Sequence, residues 1–264
     1  MKDDEQLISI IIPVFNESES IGYLLEEIKS VMESNKINFE LIVVNDGSKD
    51  NTLSVLGELT LKIKELLVIS LRKNYGQTAA MSAGFDNSSG DILITLDGDL
   101  QNDPNDIPKL ISQINEGYDL ICGWRYKRKD KLINRRIPSL IANKLIAKVT
   151  GLKLHDYGCS LKAFKKEIID DVKLYGELHR FLPVLANIEG ARIKEVKVNH
   201  RSRKYGSSKY GIDRTFRVLM DLFTVWFMTK FLTRPMYGFG FVGIISILIS
   251  LGMTSYLLVV KVLG

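Results

Sequence analysis

The chain has 264 residues, a hydrophobic fraction of 45% and a formal net charge of +5. This length accommodates one α/β domain with a full core and a small additional segment. The first residues, MKDDEQ, contain no apolar stretch, so we expect no cleaved secretion signal at this end.

Strand patterns alternate with helical patterns over the first hundred residues. We expect strands at 8–15, 39–46, 66–71 and 91–97, and helices at 21–31, 51–64 and 77–88. Continuous apolar runs that alternate with amphipathic helices are typical of a parallel sheet covered on both faces. The predicted fold is an open α/β sheet, with its ligand crevice at the carboxyl ends of the strands.

Three of the predicted strands end in clusters that contain polar residues. The first ends in Pro13, Phe15, Asn16 and Glu17, the second in Asn45 and Asp46, and the fourth in Asp97, Gly98 and Asp99. Because parallel strands end at one edge of a sheet, these clusters converge there. The sequence contains neither GxGxxG after the first strand nor GxxxxGK[ST], so a divalent cation is the candidate for neutralising bound phosphates.

The stretch LITLDGDLQNDP, residues 93–104, places two carboxylates on either side of a glycine. Taken alone, such a stretch is as well explained by a polar turn. At a strand end beside two other polar clusters, Asp97 and Asp99 indicate a site for Mg²⁺ or Mn²⁺ bridging a diphosphate, with Gln101 as a further oxygen ligand. The pair Asp103-Pro104 predicts the start of the next helix.

Basic and apolar segments occupy the second half of the chain. From Arg125 to Lys148 there are nine Lys or Arg residues and one Asp. Such a basic stretch is typical of a solvated face, of a nucleic-acid-binding patch or of a surface that faces anionic lipid. Residues 216–235 are apolar but interrupted by charges, as in an interfacial helix, and the 25 residues 236–260 are uncharged. That length predicts a membrane span, with the large domain cytoplasmic by the positive-inside rule. Nucleic-acid binding leaves the span unexplained, so we expect a lipid bilayer as partner and no nucleic acid.

Six stretches resemble one enzyme family. They are SIIIPVFNESESI, ELIVVNDGSKDNT, RKNYGQTAAMSAGF, GDILITLDGDLQNDP, DYGCSLKAF and HRSRKYGSSKY. In this order they resemble family-2 glycosyltransferases with the GT-A fold, and among them the polyprenyl-phosphate glycosyltransferases. The resemblance runs from residue 8 to about 235. It implies a GT-A sheet domain over 1–212, amphipathic juxtamembrane helices over 213–235 and at least one transmembrane helix, over 236–260, with a second span left open.

The resemblance also implies roles for individual residues. It assigns the nucleotide to Pro13, Phe15, Glu17, Val44, Asp46, Asp97 and Gly98, and the metal to Asp97, Asp99 and Gln101. It assigns the lipid phosphate to Arg125, Arg135 and Ser139, the donor diphosphate to Arg203 and Lys209, and catalysis to Asp156 and Asp99. Core packing remains an alternative for Phe15 and Val44, and a structural role remains one for Asp156.

The implied activity is inverting transfer of one sugar to a polyprenyl phosphate such as undecaprenyl phosphate, at the inner membrane. The absence of the Q-x-x-R-W motif of processive synthases favours a single transfer. UDP-glucose is the first expectation for the donor, with GDP-mannose or a UDP-aminosugar as alternatives. An acceptor other than a lipid phosphate, a nucleotide-sugar-binding membrane scaffold without activity, and a homo-oligomer stay open.

Overall fold

The structure is a computed structural model that describes residues 6–126, 146–148, 150–170, 172, 174, 176, 178–205, 213–231 and 235–263. The chain divides into two compact units, Met1–Asp221 and Leu222–Gly264.

One sheet organises the first unit. Its strands are β1 (Leu7–Val14), β2 (Asn38–Asn45), β3 (Leu66–Ser70), β4 (Ile92–Thr95), β5 (Leu120–Arg125), β6 (Lys162–Lys165) and β7 (Ile193–Val198). They lie in the order β3-β2-β1-β4-β6-β5-β7. Strand β6 runs antiparallel to both of its neighbours, and the other pairs are parallel. The predicted, mostly parallel α/β sheet is therefore confirmed, with one reversed strand that the sequence pattern did not indicate.

Helices cover both faces of this sheet. They are α1 (Ile21–Ser34), α2 (Thr52–Thr60), α3 (Gln77–Asp86), α4 (Ile107–Asn115), α5 (Lys166–Asp170) and α6 (Leu182–Ile188). Helix α1 buries Ile21, Leu24, Leu25 and Ile28, the spacing of a single helical face. Side chains of α1, α2 and α4 form one hydrophobic core with the sheet, and those of α3 and α6 form a second core on the opposite face. The buried strands therefore need apolar side chains at consecutive positions.

The order of the strands defines a crevice beside β1. The connections through α1 and α2 extend the sheet from β1 towards β3, whereas α3 returns the chain to β4 on the other side of β1. Such a reversal is the usual ligand site of an open α/β sheet. At Gly84 of α3, a Cβ atom would lie 2.4 Å from Cγ2 of Ile11, so glycine allows α3 to pack closely on β1.

The remaining helices are α7 (Asp213–Phe231) and α8 (Pro235–Leu263). Helix α8 has 29 residues and extends for about 43 Å, given about 1.5 Å per residue. Its most apolar window has a mean hydropathy of 2.1 with no residue buried, and no other helix in the described ranges is as long and apolar. By length and composition, α8 can cross a membrane, and it contains the predicted span 236–260. The division of the chain into 1–212, 213–235 and 236–260 stays a prediction.

Candidate active site

The predicted metal loop follows β4 directly at the carboxyl edge of the sheet. Asp97 accepts a hydrogen bond of 2.8 Å from Nε2 of Gln77, the first residue of α3. Asp99 is buried and accepts a hydrogen bond of 3.1 Å from the backbone amide of Gln101. The backbone carbonyl of Gln101 accepts a hydrogen bond from the backbone amide of Arg201. The role of the Gln101 side chain as a metal ligand stays a prediction.

Two residues in the loop have backbones that suit its close packing. A Cβ atom at Gly98 would lie 2.7 Å from Cγ1 of Val14, so this glycine brings the loop against the end of β1. Leu100 has a φ of 62°, a left-handed conformation that is uncommon for a residue with a side chain. Its side chain is buried, which holds this turn in place.

Charge is concentrated around Asp99. Burial and then the nearby carboxylate of Asp97 raise the pKa of Asp99 to about 6, while the guanidinium of Arg203 lowers it. Arg203 donates a hydrogen bond to Asp99 through Nη2, and its Nη1 lies 4.0 Å from Oε1 of Glu17. The loop therefore gathers carboxylates that need a neighbouring cation.

The oxygen atoms of Asp97 and Asp99 suit a hard divalent cation. The described residues contain no group of three His, Cys, Asp or Glu side chains placed to hold a metal. Mg²⁺ commonly binds through one or two carboxylates, with substrate phosphates and water as the other ligands. The pair of carboxylates fits a metal that binds together with a nucleotide diphosphate.

Asp46 lies at the end of β2 and supports the loop that leads into α3. Its buried carboxylate accepts hydrogen bonds of 2.7 and 2.9 Å from the backbone amides of Tyr75 and Gly76. Burial raises the pKa of Asp46, and these two hydrogen bonds lower it. Gly47 has a φ of 64°, and a Cβ atom at this position would lie only 2.4 Å from the carbonyl carbon of Lys73. Glycine therefore leaves space for the backbone of Lys73. The structure thus gives Asp46 a structural role beside its predicted contact with the nucleotide.

The other residues predicted to bind the nucleotide lie at the same edge. Pro13 lines a pocket beside Asp97, and Phe15 and Glu17 are partly exposed. The side chain of Val44 is fully buried in the core, which is the alternative that the sequence left open. Asn16, which has a φ of 53°, connects the ends of β1 and β2, since its Oδ1 accepts a 2.7 Å hydrogen bond from the amide of Lys49.

Arg125 and Asp156 form an ion pair in which Asp156 is buried and Arg125 is mostly buried, although the family resemblance assigned them separate roles. Nε and Nη2 of Arg125 donate hydrogen bonds of 2.7 and 2.9 Å to the two carboxylate oxygens of Asp156. The backbone amides of Arg125 and Gly158 donate to the same carboxylate. Arg125 ends β5, which is parallel to β4, so the pair lies at the same edge as Asp97. The predicted contacts Arg135, Ser139 and Lys209 lie outside the described residues.

The basic segment 199–205 follows β7 and packs along the metal loop. Arg201 forms hydrogen bonds of 2.6 and 2.8 Å with Glu27 of α1, and one of 2.7 Å with Asp103. Asn199 donates to Asp103 and Asp106 at 2.8 and 2.7 Å. Together with the contact between Arg203 and Asp99, these bonds fix the segment against the loop. The sequence indicated Arg201 as one of the basic residues of this segment but not its pairing with Glu27, which lies 174 positions away.

A pocket opens beside Asp97 on the side of β4 and β6. Its walls include Gln77, Thr95, Ser160, Lys162, His179 and Arg180. Lys162 is 4% exposed, and its ammonium donates to the carbonyl of Cys159. His179 is held by a 2.7 Å hydrogen bond between its Nδ1 and Oγ1 of Thr78.

The fold and the site together define a class of protein. An open α/β sheet with a pair of carboxylates at the strand ends, and without a phosphate-binding glycine motif, is the arrangement of GT-A glycosyltransferases. The solved structure of glucosyl-3-phosphoglycerate synthase from Mycobacterium tuberculosis, with Mn²⁺ and UDP-glucose, shares this fold. It has a TM-score of 0.67 at 18% identity, over 85% of this chain and 79% of that one.

Residues 9–173 match the family model described as Glycosyl transferase family 2. The chain belongs to this family and is a glycosyltransferase, which confirms the resemblance seen in the sequence.

Two relatives transfer sugars to polyprenyl phosphates, as their names state. The dodecaprenyl-phosphate galacturonate synthase of Rhizobium johnstonii is 46% identical over 95% of this chain and 77% of its own length. The undecaprenyl-phosphate 4-deoxy-4-formamido-L-arabinose transferase of Pseudomonas fluorescens is 38% identical over 90% of this chain and 70% of its own length. The chain is therefore similar to the polyprenyl-phosphate group within the family.

Proposed function

We propose that this protein transfers one sugar from a nucleotide-sugar to a polyprenyl phosphate, with inversion at the anomeric carbon. The observation that carries the proposal is that the pair Asp97 and Asp99 and the Arg125 guanidinium lie at the same edge of the sheet. An acidic pair suits a metal-bound diphosphate, and a guanidinium suits a phosphate monoester. The membrane-length helix α8 fits an acceptor that is embedded in a bilayer, and we place the catalytic domain at the cytoplasmic face of the inner membrane.

The donor diphosphate needs positive charge, because nucleotide and acceptor are both anionic. Asp97 and Asp99 would hold Mg²⁺ or Mn²⁺, which when bound neutralises the diphosphate and stabilises it as a leaving group. Arg203, which now donates to Asp99, supplies a second cation at the same place. Its attachment through the basic segment 199–205 pre-organises that charge beside the leaving group.

The acceptor requires orientation more than deprotonation. A phosphate monoester has a second pKa of about 6, so at neutral pH it is mostly a dianion and its oxygen is already nucleophilic. Asp156 accepts four hydrogen bonds, two of them from the guanidinium of Arg125, so both of its oxygens are already engaged in holding that side chain. We assign Asp156 to positioning Arg125, and Arg125 to the acceptor phosphate.

The transfer step needs no net proton movement. An oxygen of the acceptor phosphate forms a bond to the anomeric carbon, and the bond from that carbon to the donor diphosphate breaks on the opposite face. The nucleotide diphosphate leaves with the electron pair. The product is a phosphodiester that joins the sugar to the polyprenol, with the anomeric configuration inverted.

For the donor sugar, the proposal departs from the expectation of UDP-glucose. The relatives at 46% and 38% identity are named for galacturonate and for a formamido-pentose. We therefore put forward a modified sugar of one of these two types, carried on UDP, with UDP-glucose, GDP-mannose and UDP-aminosugars as comparison donors.

The test uses the full chain in detergent or nanodiscs with Mg²⁺ or Mn²⁺ and undecaprenyl phosphate. Each radiolabelled donor is incubated separately, and the labelled lipid is extracted and quantified. We expect one donor to label the lipid, and the variant that combines Asp97→Asn and Asp99→Asn to lose this label. If the folded protein binds a nucleotide-sugar but labels no lipid with any donor, the scaffold alternative replaces the proposal. If the label appears on another acceptor, the proposed sugar transfer stands and only the polyprenyl phosphate is replaced as the acceptor.

A further inference from the structure

Lys162 is a buried cation in the pocket beside Asp97. It is the first residue of β6, paired with Thr95 of β4 and Cys122 of β5 at the carboxyl edge of those strands. It is 4% exposed, and in the described part of the chain its ammonium donates to the carbonyl of Cys159 and forms no ion pair with a carboxylate. An ammonium has three N–H donors, and a buried charge without a counter-ion is costly. The side chain is therefore suited to receive an anion from a ligand.

The position of the pocket indicates which part of the donor it receives. Among the residues predicted to bind the nucleotide, Phe15, Glu17 and Asp46 lie at the ends of β1 and β2 and do not line the pocket, whereas Pro13 and Asp97 do. The pocket extends from Asp97 between β4, β6 and the turn that contains Arg180. A sugar attached to a diphosphate at Asp97 and Asp99 extends away from the base, so we expect the sugar to occupy this pocket.

We propose that Lys162, together with Arg180, binds a carboxylate on the donor sugar, which makes the donor class a nucleotide-linked hexuronic acid. This inference rests on the proposed function and selects one of the two sugar types put forward there. A carboxylate supplies the charge that the buried ammonium lacks, whereas the hydroxyl groups of a neutral hexose supply only hydrogen-bond acceptors. The diphosphate of the donor is the other anion near this site, so the experiment separates a sugar carboxylate from a phosphate.

The test measures binding of three ligands to the full chain by calorimetry in the presence of Mn²⁺. UDP-galacturonate and UDP-galactose differ only in the carboxylate, and UDP reports the diphosphate alone. Since a hydrogen bond to a charged group changes affinity by about 10- to 100-fold, we expect UDP-galacturonate to bind at least about 10-fold more tightly than UDP-galactose. Lys162→Met abolishes this difference and leaves the affinity for UDP unchanged, while Arg180→Gln reduces the difference.

A matched control lies at the other end of the same strand. Lys165 pairs with Asp119 at 2.7 Å, and Lys165→Met removes an ammonium without changing the discrimination between the donors. Thermal unfolding of each variant identifies loss of the fold, and if Lys162→Met does not fold, the wild-type ratio and Arg180→Gln decide the outcome.

Equal affinity of the wild type for UDP-galactose and UDP-galacturonate overturns the inference. So does a Lys162→Met variant that loses affinity for UDP as strongly as for UDP-galacturonate, because the ammonium then binds phosphate. Tighter binding of a UDP-linked formamido-pentose than of UDP-galacturonate overturns it as well. Failure of lipid labelling with every donor would refute the proposed transfer, yet a preference for the carboxylate in binding would still stand.

Discussion

The ion pair between Asp156 and Arg125 predicts how an amide substitution at Asp156 changes the kinetics. In Asp156→Asn, the amide keeps one acceptor oxygen but directs N–H groups towards a guanidinium that can only donate. At least one of the two hydrogen bonds of 2.7 and 2.9 Å is therefore lost. The side chains are 4% and 15% exposed, so solvent screens the pair little.

The expected magnitude follows from this burial. Removing one partner of a buried ion pair costs about 3–5 kcal/mol, because the other charge remains without its counter-ion. Part of this cost lowers the free energy of unfolding. If about 3 kcal/mol of this cost appears as lost stabilisation of the transition state that contains the acceptor, kcat/KM for the polyprenyl phosphate falls by about 100-fold. We expect the change mainly in KM for this acceptor, since Asp156 acts by positioning Arg125.

The assay measures initial rates against the concentration of undecaprenyl phosphate at saturating donor, for both single variants and the double variant. Arg125→Gln should give a similar loss, and the double variant should be little worse than either one, because both changes remove the same contact. A general base would behave differently. If Asp156→Asn lowers kcat by about 10²- to 10⁴-fold at unchanged KM, and its effect adds to that of Arg125→Gln, the positioning role is refuted.

Four further variants test the fold and the metal loop. Gly84→Ala places a methyl group against Ile11 and should lower the free energy of unfolding by about 1–2 kcal/mol. Gly57→Ala adds a methyl group in open space on α2 and should raise the same free energy by up to about 1 kcal/mol. Equal shifts of the two variants in urea unfolding would contradict the close packing of α3 on β1. Arg201→Met loses its ion pairs with two carboxylates and should lower the same free energy by about 2 kcal/mol, and unchanged stability would show that the basic segment is held by other contacts. Asp99→Asn should abolish the binding of Mn²⁺ in the presence of UDP, as measured by electron paramagnetic resonance. Retained binding would exclude this carboxylate as a ligand.

The sequence was sufficient to predict which edge of the sheet carries the site, because this edge follows from the direction of the strands. Apolar runs bounded by polar residues predict buried parallel strands, and parallel strands end together. The strands that precede Asp46, Asp97 and Asp99 therefore end at the same edge of the sheet, as expected. The reversed strand β6 was not predictable, since it has only four residues, and Lys162 and Lys165 at its two ends interrupt any apolar pattern.

Partners of charged side chains were the least predictable part of the site. Arg125 and Asp156 were each recognised, but no local pattern shows that two residues 31 positions apart will neutralise each other. The same limit applies to Arg201 and Glu27. Such pairs depend on how strands and helices pack, which periodicity along the chain does not record.

The reversal of β6 has an evolutionary consequence. Strand β5 ends at Arg125 and β6 begins at Lys162, and the two strands are neighbours, with Cys122 paired to Lys162. Substitutions confined to residues 127–155 change neither these strands nor the pocket walls at Ser160 and Lys162. A transferase of this design can therefore acquire a new acceptor through changes in one contiguous stretch. Chimaeras of related enzymes that exchange residues 127–155 should inherit lipid preference from the inserted stretch and sugar preference from the remainder.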